Sequence, residues 1–354
     1  MSGTAGGKVR KWPDLPWKVR LFVTAFGFLT DASFRRNGKV NRCLINLIDC
    51  KVPPSDRPVN GVTTSDTTVD PSRNLWYRYF VPSAAEAGRM LPVVVYFHGG
   101  GFVMLSPSSQ LFDDLCRLLA RELPAVIVSV NYRLAPEHRC PASYEDGVDV
   151  LRFIDEKPPA NADLTRCFIV GDSAGGNIAH HVTARAGEHN LRNLQIAGVI
   201  PIQPYFGGEE RTESEIQLEG APLVSMKRTD WCWKAFLPEG SDRDHPAANV
   251  FGPNSSDISG LRFPKSLVFM GGLDPLRDWQ KRYCGGLKSN GKEVREADYP
   301  NAMHSFYAFP ELPESTLFLR ELQDFIEKHT PNKNNHTHKT VFTWFGNMPT
   351  STEL

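Results

Sequence analysis

The stretch "CFIVGDSAGGNIAHH" (residues 167–181) joins a short apolar run to a helix-forming segment through a G-x-S-x-G motif. The backbone turn needed there is too tight for larger side chains beside the serine, and glycines relieve the clash. A strand before the motif and a helix after it would leave Ser173 exposed above a sheet. The helix N-terminus beside it carries a partial positive charge that favours a developing anion. Ser173 is therefore our candidate nucleophile.

Apolar runs like the one before Ser173 recur along the chain, and helix-period segments separate several of them. The predicted strands are residues 75–81, 93–97, 126–130, 168–170, 196–202 and 267–270, with a last, more polar one near 294–299. Apolar stripes predict helices near residues 111–119, 148–154 and 317–326. This alternation predicts an α/β fold in which helices cover both faces of a mostly parallel sheet. Such sheets bind ligands at the carboxyl ends of their strands, where the motif around Ser173 is expected to lie.

A second glycine cluster follows another predicted strand, in "YFHGGGFVM" (residues 96–104). Bare backbone can approach a substrate closely, and N–H groups aimed at a carbonyl oxygen lower the barrier to acyl transfer by about 3 kcal/mol per donor. The predicted oxyanion donors are the N–H groups of Gly100, Gly101 and Ala174. The alternative is a glycine-rich turn or a phosphate-binding loop, but the sequence has no G-x-x-x-x-G-K-[ST] pattern and no G-x-G-x-x-G at the first strand-helix turn.

A serine nucleophile needs a base, and His304 is the best placed histidine. It lies in "YPNAMHSFYAF" (residues 299–309), between the last predicted strand and the last predicted helix. His180 and His181 lie about two turns along the helix from Ser173, too far along its axis to reach the hydroxyl.

The acid is expected after the penultimate strand, in "SLVFMGGLDPLRDW" (residues 266–279). Asp274 follows the strand directly, and Asp278 lies one turn into the next helix. Asp274 is the better placed to orient an imidazole and stabilise its cation. Asp278 stays open as the alternative, with helix capping or an ion pair as its other role.

The amino-acid composition limits the kinds of molecule that the protein is expected to bind. The 354 residues include 40 basic and 40 acidic side chains, so no overall field would attract nucleic acid or an anionic membrane. Seven scattered cysteines without C-x-x-C or Cys/His spacing argue against a disulfide framework and a metal site, and favour the cytoplasm or nucleus. The apolar run at residues 21–29 is too short to span a bilayer. We expect a small, weakly charged ligand and no cofactor.

Taken together, five motifs resemble plant carboxylesterases of the hormone-sensitive-lipase-like branch of the α/β-hydrolases. They are "HGGGF" (98–102), "VSVNYRLAPEHRCPASYEDG" (128–147), "GDSAGGNIAHHV" (171–182), "GGLDPLRDW" (271–279) and "MHSFY" (303–307). The resemblance implies an α/β-hydrolase fold and a serine carboxylesterase whose triad is Ser173, Asp274 and His304. Three further motif residues are expected to contact the substrate, namely Phe102, Asp172 and Tyr307.

The predicted organisation has three parts. Residues 1–44 form an N-terminal helical lid, residues 45–330 form the hydrolase domain with a cap-like insertion at about 205–264, and residues 331–354 form a polar tail predicted to be disordered. Five lid residues are expected to face the pocket, namely Trp17, Leu21, Phe22, Phe26 and Phe28. Packing of this segment for stability alone is the alternative, and a protein partner bound through the lid is not favoured.

The resemblance extends to the plant gibberellin receptors of the same branch, through "FGGEERTESE" (206–215) and "WKAFLPEG" (233–240). In those receptors an apolar residue replaces the catalytic histidine and a serine replaces the third glycine of the loop. Here Gly101 and His304 are both present. Cys232 stands where the receptors have an aromatic residue, and Arg228-Thr229 stand where they have an acid-base pair. These features favour an esterase, with a non-catalytic hormone-binding protein as the alternative.

Overall fold

The computed structural model of the protein describes residues 11–83, 88–189 and 191–329. Its strands are β1 (Val62–Asp70), β2 (Leu75–Pro82), β3 (Leu91–Phe97), β4 (Val126–Asn131), β5 (Ala162–Asp172), β6 (Ile196–Ile202), β7 (Lys265–Leu273) and β8 (Val294–Met303). Its helices are α1 (Trp17–Ser33), α2 (Arg42–Ile48), α3 (Gln110–Glu122), α4 (Ala142–Glu156), α5 (Ala174–Ala186), α6 (Glu213–Gln217), α7 (Met226–Phe236), α8 (Arg277–Ser289) and α9 (Pro313–Lys328). The predicted tail at residues 331–354 and the first ten residues of the predicted lid lie outside the described ranges.

The strands form one sheet in the order β1-β2-β4-β3-β5-β6-β7-β8. From β4 to β8 all neighbours are parallel, whereas β2 runs antiparallel to both β1 and β4. Helix α5 packs on β5 and β6, and α8 packs on β7. The prediction of a mostly parallel sheet flanked by helices is confirmed.

Strand β1 has no counterpart among the predicted strands. Its sequence, VTTSDTTVD, is too polar to show the apolar alternation that marks a half-buried strand. It lies at the edge of the sheet, where Asp66 receives hydrogen bonds from the buried Arg78 of β2 at 2.7 and 2.9 Å. Pairing with β2 and this ion pair hold β1 in the sheet. Because these contacts involve backbone and charged groups, β1 forms without the apolar alternation by which a strand is usually recognised in a sequence.

The apolar centre of the sheet positions the candidate site. Residues 93–97 of β3 are fully buried, as are residues 167–170 of β5 beside them. A strand covered on both faces reads as a continuous apolar run, which explains why the sequence identifies these two strands clearly. The loops that carry the glycine cluster and Ser173 leave the carboxyl ends of β3 and β5, side by side.

Helix α1 lies over this edge, but only one of its faces contacts the body. Phe22 and Phe26 line the cavity together with Thr30 and Phe34, at the four-residue spacing that aligns side chains along one side of a helix. Trp17, Leu21 and Phe28 point elsewhere and are 72%, 63% and 71% exposed. The expectation that these three residues face the pocket is wrong, because the helical repeat turns them away from it.

The predicted boundary after residue 44 falls inside α2 (Arg42–Ile48), and the division into a lid and a hydrolase domain remains a prediction. The segment predicted as a cap-like insertion contains α6 and α7 joined by irregular chain. Helix α7 contributes side chains to the cavity beneath α1. Across the described ranges, the structure contains no helix with the length and apolarity to cross a membrane.

Candidate active site

Ser173 lies at the turn between β5 and α5, with backbone angles φ 52° and ψ −117°. A positive φ is unusual for serine and signals local strain. The turn brings α5 so close to β3 that a Cβ on Gly175 would lie 1.9 Å from the carbonyl oxygen of Phe97. Only glycine fits there, which is the physical reason for the motif around the serine.

The structure brings Ser173, His304 and Asp274 into one chain of hydrogen bonds. The Ser173 Oγ and the His304 Nε2 are 3.0 Å apart, and the His304 Nδ1 lies 2.8 Å from the Asp274 Oδ2. All three side chains are buried, and Ser173 and His304 line a cavity. The Asp274 carboxylate also accepts hydrogen bonds from the N–H of Leu276 and the side chain of Gln280, at 2.9 and 2.8 Å.

Asp278, the alternative acid, lies in a different environment. Its Oδ2 accepts the N–H of Ser214 at 2.8 Å, at the start of the short helix α6. The carboxylate therefore caps that helix, whereas the Nδ1 of His304 is paired with Asp274. This agrees with the capping role that the sequence left open for it.

The glycine cluster forms one wall of the cavity through Gly100 and Gly101. Both have positive φ values, 110° and 61°, which glycine adopts at little cost. Within the described residues, the N–H groups of Gly100, Gly101 and Ala174 donate no hydrogen bond to the protein. These three donors are thus available to an oxygen atom of a ligand.

Asp172 and Tyr307 both line the cavity, and they bind each other. The Tyr307 hydroxyl donates to the Asp172 Oδ2 at 2.7 Å. The Asp172 Oδ1 accepts the Tyr96 hydroxyl at 2.6 Å and the Gly99 N–H at 2.8 Å. Burial raises the pKa of the Asp172 carboxyl and of the Tyr307 hydroxyl. The expected contact of these two residues with a substrate remains a prediction.

Phe102 does not line this cavity. Its ring is fully buried and stacks on Phe236 with ring centroids 3.8 Å apart. It also packs against Tyr205 and Trp233. The left-handed backbone of Phe102, with φ 67°, turns the ring away from the cavity and into the protein. We therefore correct the expected substrate contact of Phe102 to a packing role that supports the glycine loop.

The remaining cavity walls are mostly apolar and come from α1, α3, α7 and the loop after β8. Cys232 of α7 packs against the glycine loop, since a Cβ on Gly101 would lie 2.8 Å from its sulfur. Burial raises the pKa of the Cys232 thiol to about 12, so the thiol stays protonated at neutral pH. Within the described ranges, Asp172 and Arg228 are the only aspartate, glutamate, lysine or arginine residues that line the cavity.

Two residues that position the site were not predicted. The Gln203 side chain donates to the Met303 carbonyl at 3.0 Å and accepts the Ser305 N–H at 2.8 Å, and so holds the loop on both sides of His304. Tyr96 binds Asp172. Gln203 follows the carboxyl end of β6, and a polar residue at such a strand end is a signal that the sequence does contain.

Comparisons with known proteins agree with this geometry. The family model for the alpha/beta hydrolase fold matches residues 94–308. A gibberellin receptor of Arabidopsis thaliana is 40% identical over 327 residues, covering 88% of this chain and 94% of the receptor. Carboxylesterase 20 of the same plant is 39% identical over 305 residues, covering 82% of this chain and 93% of that protein.

A solved structure also matches most of the chain. The hyperthermophilic esterase of the archaeon Pyrobaculum calidifontis superposes with a TM-score of 0.68 at 27% identity, covering 89% of this chain and 92% of the esterase. The chain belongs to the α/β-hydrolase family, in a carboxylesterase-type group that also contains the gibberellin receptors. The predicted fold and the predicted family are both confirmed.

Proposed function

We propose that the protein is a serine carboxylesterase that hydrolyses small carboxylic esters through an acyl-enzyme. The proposal depends on one observation, the hydrogen-bonded chain from Ser173 through His304 to Asp274 at the wall of a mostly apolar cavity. Nucleophile, base and orienting carboxylate in this order are the arrangement that acyl transfer requires. No cofactor is needed for this chemistry.

In the first half of the reaction, the Ser173 Oγ attacks the acyl carbon while His304 accepts its proton at Nε2. Asp274 holds the imidazole through Nδ1 and stabilises the cation that forms. Negative charge develops on the former carbonyl oxygen, where the N–H groups of Gly100, Gly101 and Ala174 bind it. When the C–O bond to the alcohol breaks, His304 gives its proton to the leaving oxygen.

In the second half, a water molecule attacks the acyl-enzyme. His304 takes a proton from this water, and the same three N–H groups bind the second oxyanion. Collapse of the intermediate releases the carboxylic acid, and the proton returns to the Ser173 Oγ. The net reaction consumes one ester and one water and yields one acid and one alcohol.

Active-site labelling tests the proposal. A fluorophosphonate probe is expected to label the protein once, on Ser173, and to leave Ser173→Ala unlabelled. Ser173→Ala and His304→Ala are each expected to lose most hydrolysis of p-nitrophenyl acetate. Ser289→Ala, at an exposed position at the end of α8, is the matched control and keeps both properties. Equal labelling of the Ser173→Ala protein would refute the proposed nucleophile.

A second candidate function is non-catalytic binding of a gibberellin. The receptor relative that is 40% identical across most of the chain favours it. Equilibrium dialysis with a gibberellin separates the two functions. A protein that retains the compound unchanged and resists the fluorophosphonate probe is a receptor. A protein that is labelled on Ser173 and releases p-nitrophenol is an esterase.

We further propose that the protein acts in the cytoplasm or nucleus. In the part of the chain that the structure describes, all seven cysteines are free, as suits a reducing compartment. A fluorescent fusion expressed in plant cells tests this location. Retention of the fusion in the secretory pathway would contradict it.

A further inference from the structure

Arg228 brings a positive charge to the edge of a cavity that is otherwise mostly apolar. It extends from α7, and its side chain is 17% exposed. Among the described residues that line the cavity, it is the only arginine, and none of the others is a lysine. An arginine in such a place is the ordinary means of binding a substrate carboxylate, because its planar fork matches the two oxygens.

In this protein the fork of Arg228 is already occupied by the N-terminal segment. Its Nε donates to the Asp31 Oδ1 at 2.7 Å, and its Nη2 donates to the Asp31 Oδ2 at 2.9 Å. The same guanidinium donates to the carbonyl oxygens of Gly27 and Leu223, each at 3.0 Å. The positive charge of Arg228 is thus compensated by four hydrogen bonds, whose acceptors lie in α1 and in the loop before α7.

The sequence of α1 accommodates this contact. A Cβ on Gly27 would lie 2.9 Å from the Arg228 Nη2, closer than a side-chain carbon normally approaches. Glycine inside a helix costs roughly 0.5–1 kcal/mol relative to alanine. Gly27 therefore lowers the stability of α1, but it leaves the space through which the guanidinium reaches the helix backbone.

We propose that the Asp31–Arg228 pair is a specificity determinant, which restricts the esterase to substrates whose cavity-bound part is uncharged. An anionic substrate would have to displace Asp31 from the fork or lie beside its negative charge, which solvent screens only in part because the Asp31 side chain is 39% exposed. A neutral ester meets an ion pair with no net charge. This inference rests on the proposed esterase function and names its substrate class.

Two substrates that differ only in whether the distal carboxyl group is free or methylated test this inference. They are p-nitrophenyl hydrogen adipate, which carries a carboxylate, and its methyl ester, methyl p-nitrophenyl adipate. Release of p-nitrophenol gives kcat/KM for each. The unsubstituted protein is expected to prefer the neutral diester by about 100-fold, and Asp31→Asn is expected to reduce this preference at least about tenfold, since it frees the guanidinium for the carboxylate.

Two further variants distinguish an effect of the charge at position 31 from a general change in structure. The double variant Asp31→Asn with Arg228→Met removes the pair entirely and is expected to regain the preference for the neutral diester. Glu122→Gln makes the same change of net charge at an exposed pair with Arg121 and is expected to leave the preference unchanged. A lid that is merely loosened would change hydrolysis of both substrates alike, so the ratio of the two rates is the decisive quantity.

The outcomes distinguish this inference from the proposed function. If Asp31→Asn hydrolyses the diester and its preference equals that of the unsubstituted protein, the specificity role is wrong and the esterase function stands. If the unsubstituted protein hydrolyses neither compound and Ser173 resists the fluorophosphonate probe, the esterase function itself is wrong, and the inference falls with it.

Discussion

The Tyr307 hydroxyl donates a hydrogen bond to the Asp172 carboxylate at 2.7 Å, and this contact joins the residue before the candidate nucleophile to the loop of the candidate base. The same carboxylate accepts the N–H of Gly99, next to the proposed oxyanion donors, at 2.8 Å. One buried side chain therefore holds the three loops of the site in their relative positions.

Replacing Asp172 is expected to lower kcat more than it changes KM. Without the carboxylate the glycine loop and the His304 loop lose a shared acceptor, and a misplacement of about 1 Å can cost roughly 100-fold in rate. Asp172→Ala should show the full loss, and Asp172→Asn, which keeps one oxygen acceptor, a smaller one. Steady-state kinetics with p-nitrophenyl acetate measure both constants. A rise in KM at constant kcat would instead indicate direct contact with the substrate.

Asp274 and Asp278 are expected to differ sharply when replaced. Asp274→Asn keeps the shape of the side chain but no longer stabilises the imidazolium, so kcat is expected to fall on the order of 10⁴-fold. Asp278→Ala removes the acceptor for the N–H of Ser214 and is expected to cost about 1 kcal/mol of stability. Activity assays and urea denaturation of both variants check this. Equal losses of activity would contradict the assignment.

The two faces of α1 allow a matched comparison. Phe26→Ala opens the cavity wall and is expected to change KM for longer acyl chains several-fold, because burial of a side chain as large as phenylalanine contributes about 1.5–3 kcal/mol. Phe28→Ala, on the exposed face of the same helix, is expected to leave KM unchanged. A series of p-nitrophenyl esters from acetate to octanoate provides the measurement. Equal effects of the two variants would show that α1 does not lie as described.

The folding stability of the protein is expected to fall as the pH decreases below about 6.5. Burial lowers the pKa of His98 and of His180 from 6.5 to about 3 each. Between these pH values the unfolded chain binds protons that the folded chain excludes, which destabilises the folded state by up to about 1.4 kcal/mol per pH unit for each histidine. Above pH 7 this contribution is constant.

Urea denaturation between pH 4 and pH 8 tests this dependence. His180 contacts the aromatic rings of Phe206, Phe251, Phe263 and Tyr283, so His180→Phe replaces it with another ring that does not titrate. The variant is expected to lose less stability per pH unit than the unsubstituted protein. An identical slope in the two proteins would rule out His180 as a source of the pH dependence.

The sequence predicts those parts of the molecule that depend on local pattern. Six strands appear as apolar runs and a seventh as a more polar run. Ser173, Asp274 and His304 follow strand ends in chain order, so the rule that parallel strands end at one edge brings them near one another. The edge strand β1 is not found in this way, because its sequence is mostly polar and shows no apolar alternation.

Other features of the site depend on contacts between residues far apart in the chain, which the spacing of sequence motifs does not reveal. Asp31 and Arg228 are 197 positions apart, and only the packing of α1 on α7 brings them together. The exposed side of α1 is likewise apolar, so composition alone could not separate Phe22 and Phe26 from Trp17, Leu21 and Phe28. Phe102 adjoins the glycine cluster, but its backbone conformation directs the ring into the core.

The contact between Cys232 and Gly101 couples the two positions. The sulfur occupies the space that a side chain at position 101 would need, and the left-handed backbone of Gly101, with φ 61°, strains any other residue there. A residue larger than glycine at position 101 would therefore require the Cys232 side chain to move, so the outcome of such a substitution depends on which residue occupies position 232.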